Sequence, residues 1–244
     1  LTGTAQKAYN SGPMMYVYGI FGSGFGLLLA SFLVKKMKDF SNFGTITEYL
    51  ETRYNSKFLR SASAFLSMVA LIALVGSQVG AAVGIMNALG MKNTTIAALF
   101  ACIVIIALTS MGGLMAVTVT DGFQIILVMV GVVWITVAAL GDIGGLSGLN
   151  ASLTAIQSEL PEGYNVFMDS EKFKSLLWMI LPGLMYIMIG QDIYQRLFAC
   201  KDHKTAIKAS VCSAVLVCIV SVMPVTLGLI ARVKHPELAT AGTS

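Results

Sequence analysis

Charged residues are scarce in this sequence of 244 residues: they make up 11% of it, against 56% hydrophobic residues. A soluble domain of average composition carries about 25% charged residues. A chain with less than half of that share cannot cover the surface of a water-soluble globule, and its apolar content also excludes a disordered chain. The class that remains is an all-α, polytopic membrane protein.

Patterns typical of metal sites, nucleic-acid binding and catalysis are also missing. The four cysteines, Cys102, Cys200, Cys212 and Cys218, form no CxxC pair, and we interpret them as small packing residues. The net charge of +4 is spread over short segments between apolar runs, which argues against a nucleic-acid partner. Both histidines lie outside these runs and no nucleophile constellation is visible, so the sequence indicates a protein that is not an enzyme.

Six apolar runs are candidates for membrane-spanning helices, each of which needs about 20 residues. They are Pro13–Val34, Ser61–Met91, Thr94–Ser110, Leu114–Leu140, Ser175–Gly190 and Ala206–Ala231. Gly112-Gly113 is expected to break the helix between the third and fourth runs. Pro182-Gly183 is expected to break the fifth helix near the membrane midplane, where unpaired backbone groups can bind ions and polar solutes.

The distribution of Lys and Arg predicts the orientation of these helices. If the first full helix runs from outside to inside, ten of the 16 Lys and Arg residues lie on the cytoplasmic side. Loops 35–60 and 191–205 are then cytoplasmic, and the polar loop 141–174 is extracellular. We therefore expect a multi-pass protein of the cell membrane, with the lipid bilayer as its surroundings.

The segment between the first two long runs carries too many charges to cross the bilayer. Thr45 and Glu48 have the spacing of a capping box at the start of a short helix. Two interpretations stay open for this segment. It is either a solvated connector or a lever that couples two membrane helices.

Asp121 is the one charged residue in the run Leu114–Leu140. A carboxylate within a membrane helix costs about 2.5–3.5 kcal/mol on insertion scales, and such residues usually face a bundle interior or an aqueous cavity. The sequence favours a role for Asp121 in a cation or proton pathway. A position near the cytoplasmic interface, where water reaches the carboxylate, is the alternative.

Glycines recur on one face of the first two long runs. They are Gly19, Gly22, Gly24 and Gly26 in the first run, and Gly76, Gly80 and Gly84 in the second. Small residues at such spacings let helix backbones approach closely. We interpret both faces as packing surfaces.

Four strings along the chain form a pattern: 3–9 (GTAQKAY), 45–54 (TITEYLETRY), 109–117 (TSMGGLMAV) with Thr120, Asp121 and Gln124, and 191–201 (QDIYQRLFACK). Together they resemble the sodium:solute symporter family. Their order matches that of the family across essentially the whole chain, which makes the resemblance specific. It implies a leucine-transporter-type core of ten helices in two inverted five-helix repeats.

By this resemblance, the chain supplies the core from the end of core helix 1 through core helix 7. Residues 1–140 correspond to most of the first repeat and residues 175–244 to the start of the second, with loop 141–174 between them. Core helices 8 to 10 are absent. We therefore expect the single transmembrane domain of residues 1–244 to be incomplete, truncated at both ends and inactive alone.

The resemblance implies sodium-coupled symport of a small organic solute by alternating access, with sodium as the co-transported ion and no other metal. Asp121 corresponds to an acidic residue of the sodium pathway, and the carbonyl group of Thr2 to a sodium ligand. The alternative is a channel or a non-transport membrane subunit that uses the same helices for assembly. Saturable, sodium-dependent uptake distinguishes the first from the second.

Four residues are candidates for solute contact or gating. Gln6 corresponds to a substrate-facing position, Tyr186 to an aromatic gate towards the cytoplasm, and Gln191 is a polar group at the end of a span. The positions that correspond to sugar contacts in the family are all apolar here: Phe25, Leu28, Gly183 and Ala214. We therefore expect an amino acid or an organic acid rather than a sugar.

Overall fold

The computed structural model describes residues 2–36 and 43–239, apart from the side chains of residues 23, 108–109, 111–117 and 187–189. Throughout this part of the chain the regular structure is helical, with no β-strand. The α-helices in it are α1 (Thr2–Ser11), α2 (Met15–Tyr18), α3 (Phe25–Lys36), α4 (Ile46–Tyr54), α5 (Lys57–Ala88), α6 (Thr94–Ile143), α7 (Gly145–Ala155), α8 (Ser170–Ile189), α9 (Gln191–Phe198) and α10 (His203–Lys234). A π-helix, Gly19–Gly24, joins α2 to α3, and short 3-10 helices follow α7 and α10.

Four helical segments of the described chain are long and apolar enough to cross a membrane: Met15–Lys36, Lys57–Ala88, Thr118–Ile143 and His203–Lys234. A fifth span forms when Ser170–Tyr186 and Gln191–Phe198 are taken together, with a bend of 44° between them. The all-α polytopic class is thereby confirmed. The sixth expected span, Thr94–Ser110, stays a prediction: its described side chains cover the apolar stretch Thr94–Ala107, and the helix itself continues to Ile143 as α6.

The two expected helix breaks are wrong. Helix α6 continues through Gly112-Gly113, and helix α8 continues through Pro182-Gly183. A glycine within a helix costs about 1 kcal/mol, which long flanking helices tolerate. In a membrane protein, neighbouring groups can satisfy the carbonyl that a proline leaves unpaired. The fifth span is interrupted at Gly190 instead, between α8 and α9.

The structure divides into two compact units. One, here called the discontinuous unit, comprises Leu1–Tyr49 and Gly131–Ser244, and the other, the continuous unit, comprises Leu50–Val130. The discontinuous unit holds α1 to α3 and α7 to α10, with the start of α4 and the end of α6. The continuous unit holds α5 and most of α6. The assignment of residues 1–140 and 175–244 to two repeats stays a prediction.

Helix α10 is the centre of the discontinuous unit, where it packs against α1, α3 and the π-helix. The approach to α1 is very close: a Cβ atom added to Gly228 would lie 2.2 Å from the carbonyl oxygen of Ala5. The approach to the π-helix is equally close, since a Cβ atom on Gly24 would lie 2.2 Å from the Sγ atom of Cys218. The glycine face of the first run is thus a packing surface.

Two apolar clusters lie at opposite ends of α10. The first includes Tyr164, Leu229 and Ile230, and the second includes Tyr194 and Ala206. Ile230 follows Ala206 by 24 positions, which corresponds to about 36 Å of helix. We call the two regions the Tyr164 end and the Gly190 end.

The capping box that precedes α4 is confirmed. The backbone N–H of Glu48 donates to Oγ1 of Thr45 at 3.2 Å, and the backbone N–H of Gly44 donates to Oε2 of Glu48 at 3.1 Å. The carboxylate therefore reaches back one residue beyond the N-cap. Residues 37–42 of the predicted loop 35–60 lie outside the described part of the chain.

Candidate functional site

The bend at Gly190 organises the candidate site. Gly190 takes an extended conformation (ψ 112°) between two helices. A Cβ atom at this position would lie 2.8 Å from the carbonyl oxygen of Tyr186 and 3.1 Å from Oδ1 of Asp192. A side chain here would collide with the backbone carbonyl of Tyr186, and the Asp192 carboxylate would have to move by a few tenths of an ångström, so glycine is favoured. The sequence placed the interruption of this span seven residues too early, at Gly183.

Two of the predicted gating residues meet at this bend. The hydroxyl of Tyr186 donates to Oδ1 of Asp192 at 2.7 Å. Oε1 of Gln191 accepts a hydrogen bond from the backbone N–H of Ile46 at 3.0 Å, and this N–H is one of the unpaired donors at the start of α4. The connector helix is therefore attached directly to the bend. This contact supports the interpretation of the connector as a lever.

A cavity of about 360 Å³ lies beside the bend, between α3, α9 and α10. It is lined by Leu27, Asp192, Ile193, Arg196, Leu197, Cys200, Ala209, Ser210 and Ser213. Burial raises the pKa of the Cys200 thiol, and the nearby Asp202 carboxylate adds to the effect. The lining combines a carboxylate, a guanidinium and two hydroxyls, so a polar solute or water finds hydrogen-bond partners on several sides.

A second cavity, of about 430 Å³, lies between α1 and α10. Its lining consists of Ala5, Gln6, Tyr9, Asn10, Leu227, Gly228, Ala231 and Leu238, with no charged side chain among these residues. Gln6 and Asn10 are one helical turn apart and share a face of α1. Thr2 is exposed at the first position of the same helix.

Phe25 follows the π-helix as the first residue of α3. Its side chain is 43% exposed, and its ring centroid lies 6.1 Å from that of Phe21. Short π-helical segments are frequent at functional sites, because the widened turn leaves backbone groups without their usual partners. The sequence analysis did not predict this π-helix, although the three glycines within it indicated an irregular helix.

Asp121 lies in the continuous unit, half-buried on α6. The other candidates, from Thr2 to Gln191, belong to the discontinuous unit. Residues 109 and 111–117 of the family signature lie outside the residues whose side chains are described. The residues that sequence reasoning missed are Gly190, which makes the bend, and Asp192, which receives the hydrogen bond from Tyr186.

Four apolar helices long enough to cross a membrane, with a fifth when the bent pair is taken as one span, define the class of polytopic α-helical membrane proteins. The chain belongs to the sodium:solute symporter family, whose family model matches residues 1–241.

Two curated relatives extend this result. The chain is 29% identical over 218 residues to a sodium/glucose cotransporter of Vibrio parahaemolyticus, a match that covers 80% of this chain and 38% of that protein. It is 26% identical over 204 residues to a sodium/pantothenate symporter of Haemophilus influenzae, covering 81% of this chain and 40% of that protein. The chain thus spans about two fifths of the length of these relatives. No solved structure gives a significant match.

Proposed function

We propose that this chain forms part of a sodium-coupled symporter that carries a small organic solute across the membrane by alternating access. The observation that carries the proposal is the family match over residues 1–241. The relatives bear the names of sodium-coupled carriers rather than of enzymes or channels, and this supports a non-enzymatic role.

Sodium is the proposed driving ion. Moving one charge inward across a potential of 100 mV releases about 2.3 kcal/mol. This energy drives solute movement only if sodium favours one conformation over the other. We assign Asp121 and the carbonyl group of Thr2 to the sodium pathway.

The solute path is proposed to run along the discontinuous unit. Gln6 and Phe25 contact the solute, and Gln191 and Tyr186 control its release at the Gly190 end. The support for this release route is the 360 Å³ cavity beside the bend, which has the size and mixed polarity of small-molecule sites.

The solute is proposed only as a small organic molecule. The expected preference for an amino acid or an organic acid over a sugar has no support from the relatives, since one is named for glucose and the other for pantothenate. Sugars therefore belong in any substrate panel, beside organic acids and amino acids.

We further propose that the protein lies in the cell membrane, with loops 35–60 and 191–205 in the cytoplasm and loop 141–174 outside. The support is the excess of Lys and Arg in the first two loops.

Uptake into proteoliposomes tests the function. The product of the complete reading frame that encodes this chain is reconstituted, and radiolabelled sugars, organic acids and amino acids are supplied under an inward sodium gradient. We expect saturable uptake of one solute that disappears when potassium replaces sodium. The 244-residue chain alone serves as a comparison, and we expect it to give no uptake. Conductance without saturation supports the channel alternative instead.

The Asp121→Asn variant tests the sodium pathway. We expect the half-saturating sodium concentration of uptake to rise about tenfold, because about 1.4 kcal/mol of charge interaction with the ion is lost. Asp142→Asn is a matched control, since this exposed carboxylate lies at the end of the same helix and forms an ion pair with Lys234. An unchanged sodium curve in Asp121→Asn, with the same thermal stability, makes Asp121 a structural residue.

A further inference from the structure

Three side chains connect α1, α10 and the segment 160–166 at the Tyr164 end. They are Tyr9 of α1, Tyr164 of the segment and Arg232 of α10, and all three are buried, with exposures of 8%, 4% and 7%. None of them was singled out by the sequence, and none has a part in the proposed sodium or solute path.

Tyr164 attaches the segment to the end of α1. Its hydroxyl lies 3.0 Å from the carbonyl oxygen of Ala8 and 3.1 Å from that of Tyr9, and donates to them. These carbonyls belong to the last turn of the helix, where that of Ala8 also accepts a hydrogen bond from the backbone N–H of Gly12 at 2.9 Å. Burial raises the pKa of Tyr164, so its phenol remains a neutral donor at physiological pH.

The backbone of the same segment presses against the chain that follows α1. Gly12 has a left-handed conformation with φ +81°, and a Cβ atom there would lie 2.4 Å from the carbonyl oxygen of Tyr164. That carbonyl also accepts a hydrogen bond from Nζ of Lys172 at 2.9 Å, and Val166 supplies a second acceptor for Nζ at 2.6 Å. The segment is thus fixed on both of its sides.

Tyr9 attaches α1 to the end of α10. Its hydroxyl donates to the carbonyl oxygen of His235 at 2.7 Å. His235 immediately follows the last residue of α10, so this bond also caps a helix end. The segment therefore holds α1, and α1 holds α10.

Arg232 of α10 contacts both tyrosine rings. Its guanidinium carbon lies 5.0 Å from the ring centroid of Tyr9 and 5.8 Å from that of Tyr164. Within the described residues no carboxylate forms an ion pair with Arg232, and its Nε atom has no hydrogen-bond partner. Aromatic faces compensate a buried cation only in part, because they cannot replace the hydrogen bonds that water makes to a guanidinium.

One of the three residues, Tyr9, borders a cavity. It lines the 430 Å³ cavity between α1 and α10, together with Gln6, Asn10 and Ala231, the residue before Arg232. We therefore expect a change in the contacts of Tyr9 to change access to this cavity.

We propose that Tyr9, Tyr164 and Arg232 form a latch that closes the Tyr164 end of the transport path, and that the incompletely compensated Arg232 keeps the closed latch easy to open. The proposal rests on the alternating-access function proposed above. The two tyrosine hydroxyls stabilise the closed state. The buried guanidinium destabilises it, because opening returns the charge to water. Because these contributions to the free energy of the closed state oppose each other, the closed and open states are both accessible, as a gate requires.

The rate at which a thiol reagent reaches the cavity tests the latch. In the complete protein, Cys102, Cys200, Cys212 and Cys218 are replaced by Ala and Asn10→Cys is introduced as the reporter. A membrane-impermeant methanethiosulfonate is then applied to each face of the membrane in turn. We expect Tyr164→Phe to accelerate labelling from one face about fivefold, since it removes a hydrogen bond and keeps the ring. Tyr54→Phe, at a tyrosine that is 60% exposed, is the matched control and leaves the rate unchanged.

Arg232→Met is expected to change the labelling rate in the opposite direction. The methionine side chain fills much of the same space without a charge, so the closed state becomes more stable and labelling slows severalfold. Equal rates for Tyr164→Phe and Tyr54→Phe overturn the latch. Faster labelling of Arg232→Met overturns the assignment of Arg232 as the opening element and makes it a structural tie.

Two measurements separate this proposal from the proposed function. Size-exclusion profiles and melting temperatures identify any variant whose faster labelling reflects unfolding, and for such a variant Tyr9→Phe takes the place of Tyr164→Phe. Sodium-driven uptake by the parent protein is measured in the same vesicles. If uptake is observed but the variants do not change the labelling rate, the latch proposal is wrong and the transport proposal stands. If the variants change the labelling rate but no uptake is observed, the transport proposal is wrong, and the three residues form a latch in a protein with another function.

Discussion

The two ends of the discontinuous unit are held together by different chemistry. At the Tyr164 end, buried phenol hydroxyls donate to backbone carbonyls of another helix, over 150 residues away in the sequence. At the Gly190 end, the hydrogen bond from Tyr186 reaches a carboxylate six residues away, and the neighbouring cavity has charged groups in its wall. The first end is an aromatic joint between distant elements, and the second is a hinge within one span.

The two ends also differ in how they place charge. At the Tyr164 end the one guanidinium of this cluster, that of Arg232, is buried beside aromatic rings. At the Gly190 end a carboxylate and a guanidinium line a cavity, where water can hydrogen-bond to both. Each variant below changes one end and has a matched partner that should not.

The largest effect is expected for Gly228→Val, which separates α1 from α10 and therefore dismantles the Tyr164 end. The new Cβ atom would lie 2.2 Å from the carbonyl oxygen of Ala5 and 2.9 Å from Cβ of Ala8, and a backbone cannot move aside as a side chain can. We expect a loss of about 3 kcal/mol in stability, measured as a lower melting temperature of the purified protein.

Gly80→Val is the control for this variant, because no heavy atom lies within 4 Å of a Cβ atom built at Gly80. We expect its melting temperature to match that of the parent. A similar loss in both variants means that glycine matters at these positions for a reason other than close contact.

A smaller effect is expected for Gly190→Ala at the other end. The added methyl group would lie 2.8 Å from the carbonyl oxygen of Tyr186, and relief of this contact requires a change in the 44° bend. We expect a loss of about 1–2 kcal/mol, again from melting temperatures. Gly183→Ala is the matched control, since its nearest neighbour is the carbonyl oxygen of Gly22 at an ordinary 3.5 Å. If Gly183→Ala loses more stability than Gly190→Ala, the hinge lies at Gly183, as the sequence indicated.

That pair of glycines shows how far the sequence could predict this fold. Composition and apolar runs predicted the helical class and four of the six spans, with a fifth when α8 and α9 are taken together, because length and hydropathy are properties of each segment alone. They did not predict the position of the hinge. In isolation, Pro182 is the stronger helix breaker. The close contacts around Gly190 favour glycine at the bend, and the sequence alone does not show these contacts.

The candidate site shows the same division. Tyr186 was found by its resemblance to a family position and Gln191 as a polar group at the end of a span, and the structure brings them to one bend. Tyr9, Tyr164 and Arg232 were missed because they are far apart in the sequence and each looks ordinary: two tyrosines and a basic residue at the end of a span. Only the packing of α1 on α10 brings them together.

Tyr186→Phe is expected to have a moderate effect, confined to the Gly190 end. It removes the 2.7 Å hydrogen bond to Asp192, worth about 1 kcal/mol, and keeps the ring. Cys200 lines the cavity beside Asp192 and serves as the reporter once the other three cysteines are replaced. We expect a thiol reagent to label Cys200 about fivefold faster, with no acceleration in Tyr54→Phe.

Alternating access adds a second expectation to this experiment. If the two ends exclude each other, Tyr186→Phe slows labelling of Asn10→Cys at the Tyr164 end while it accelerates labelling of Cys200. Independent responses at the two reporters argue against a coupled pair of gates, even if each end opens separately.

The smallest effect concerns the pH dependence of stability at the Gly190 end. Asp202 is the N-cap of α10 and accepts a hydrogen bond from the backbone N–H of Thr205 at 2.6 Å. This interaction with Thr205 lowers the pKa of Asp202 below its usual value of 3.8. A group whose pKa is lowered in the folded state stabilises the protein above its unfolded pKa, and this contribution is lost as the pH falls through the folded value.

Asp202→Asn keeps an oxygen acceptor for Thr205 but cannot ionise. We therefore expect the parent to melt at a slightly higher temperature than the variant at neutral pH, and the difference to shrink only as the pH falls below about 3.8, through the lowered folded-state pKa. Melting curves of both proteins between pH 7 and pH 3 in one detergent measure it. If the difference in melting temperature stays constant across this range, the Asp202 carboxylate acts through its shape rather than its charge. The N-cap of α10 is then not sensitive to acid.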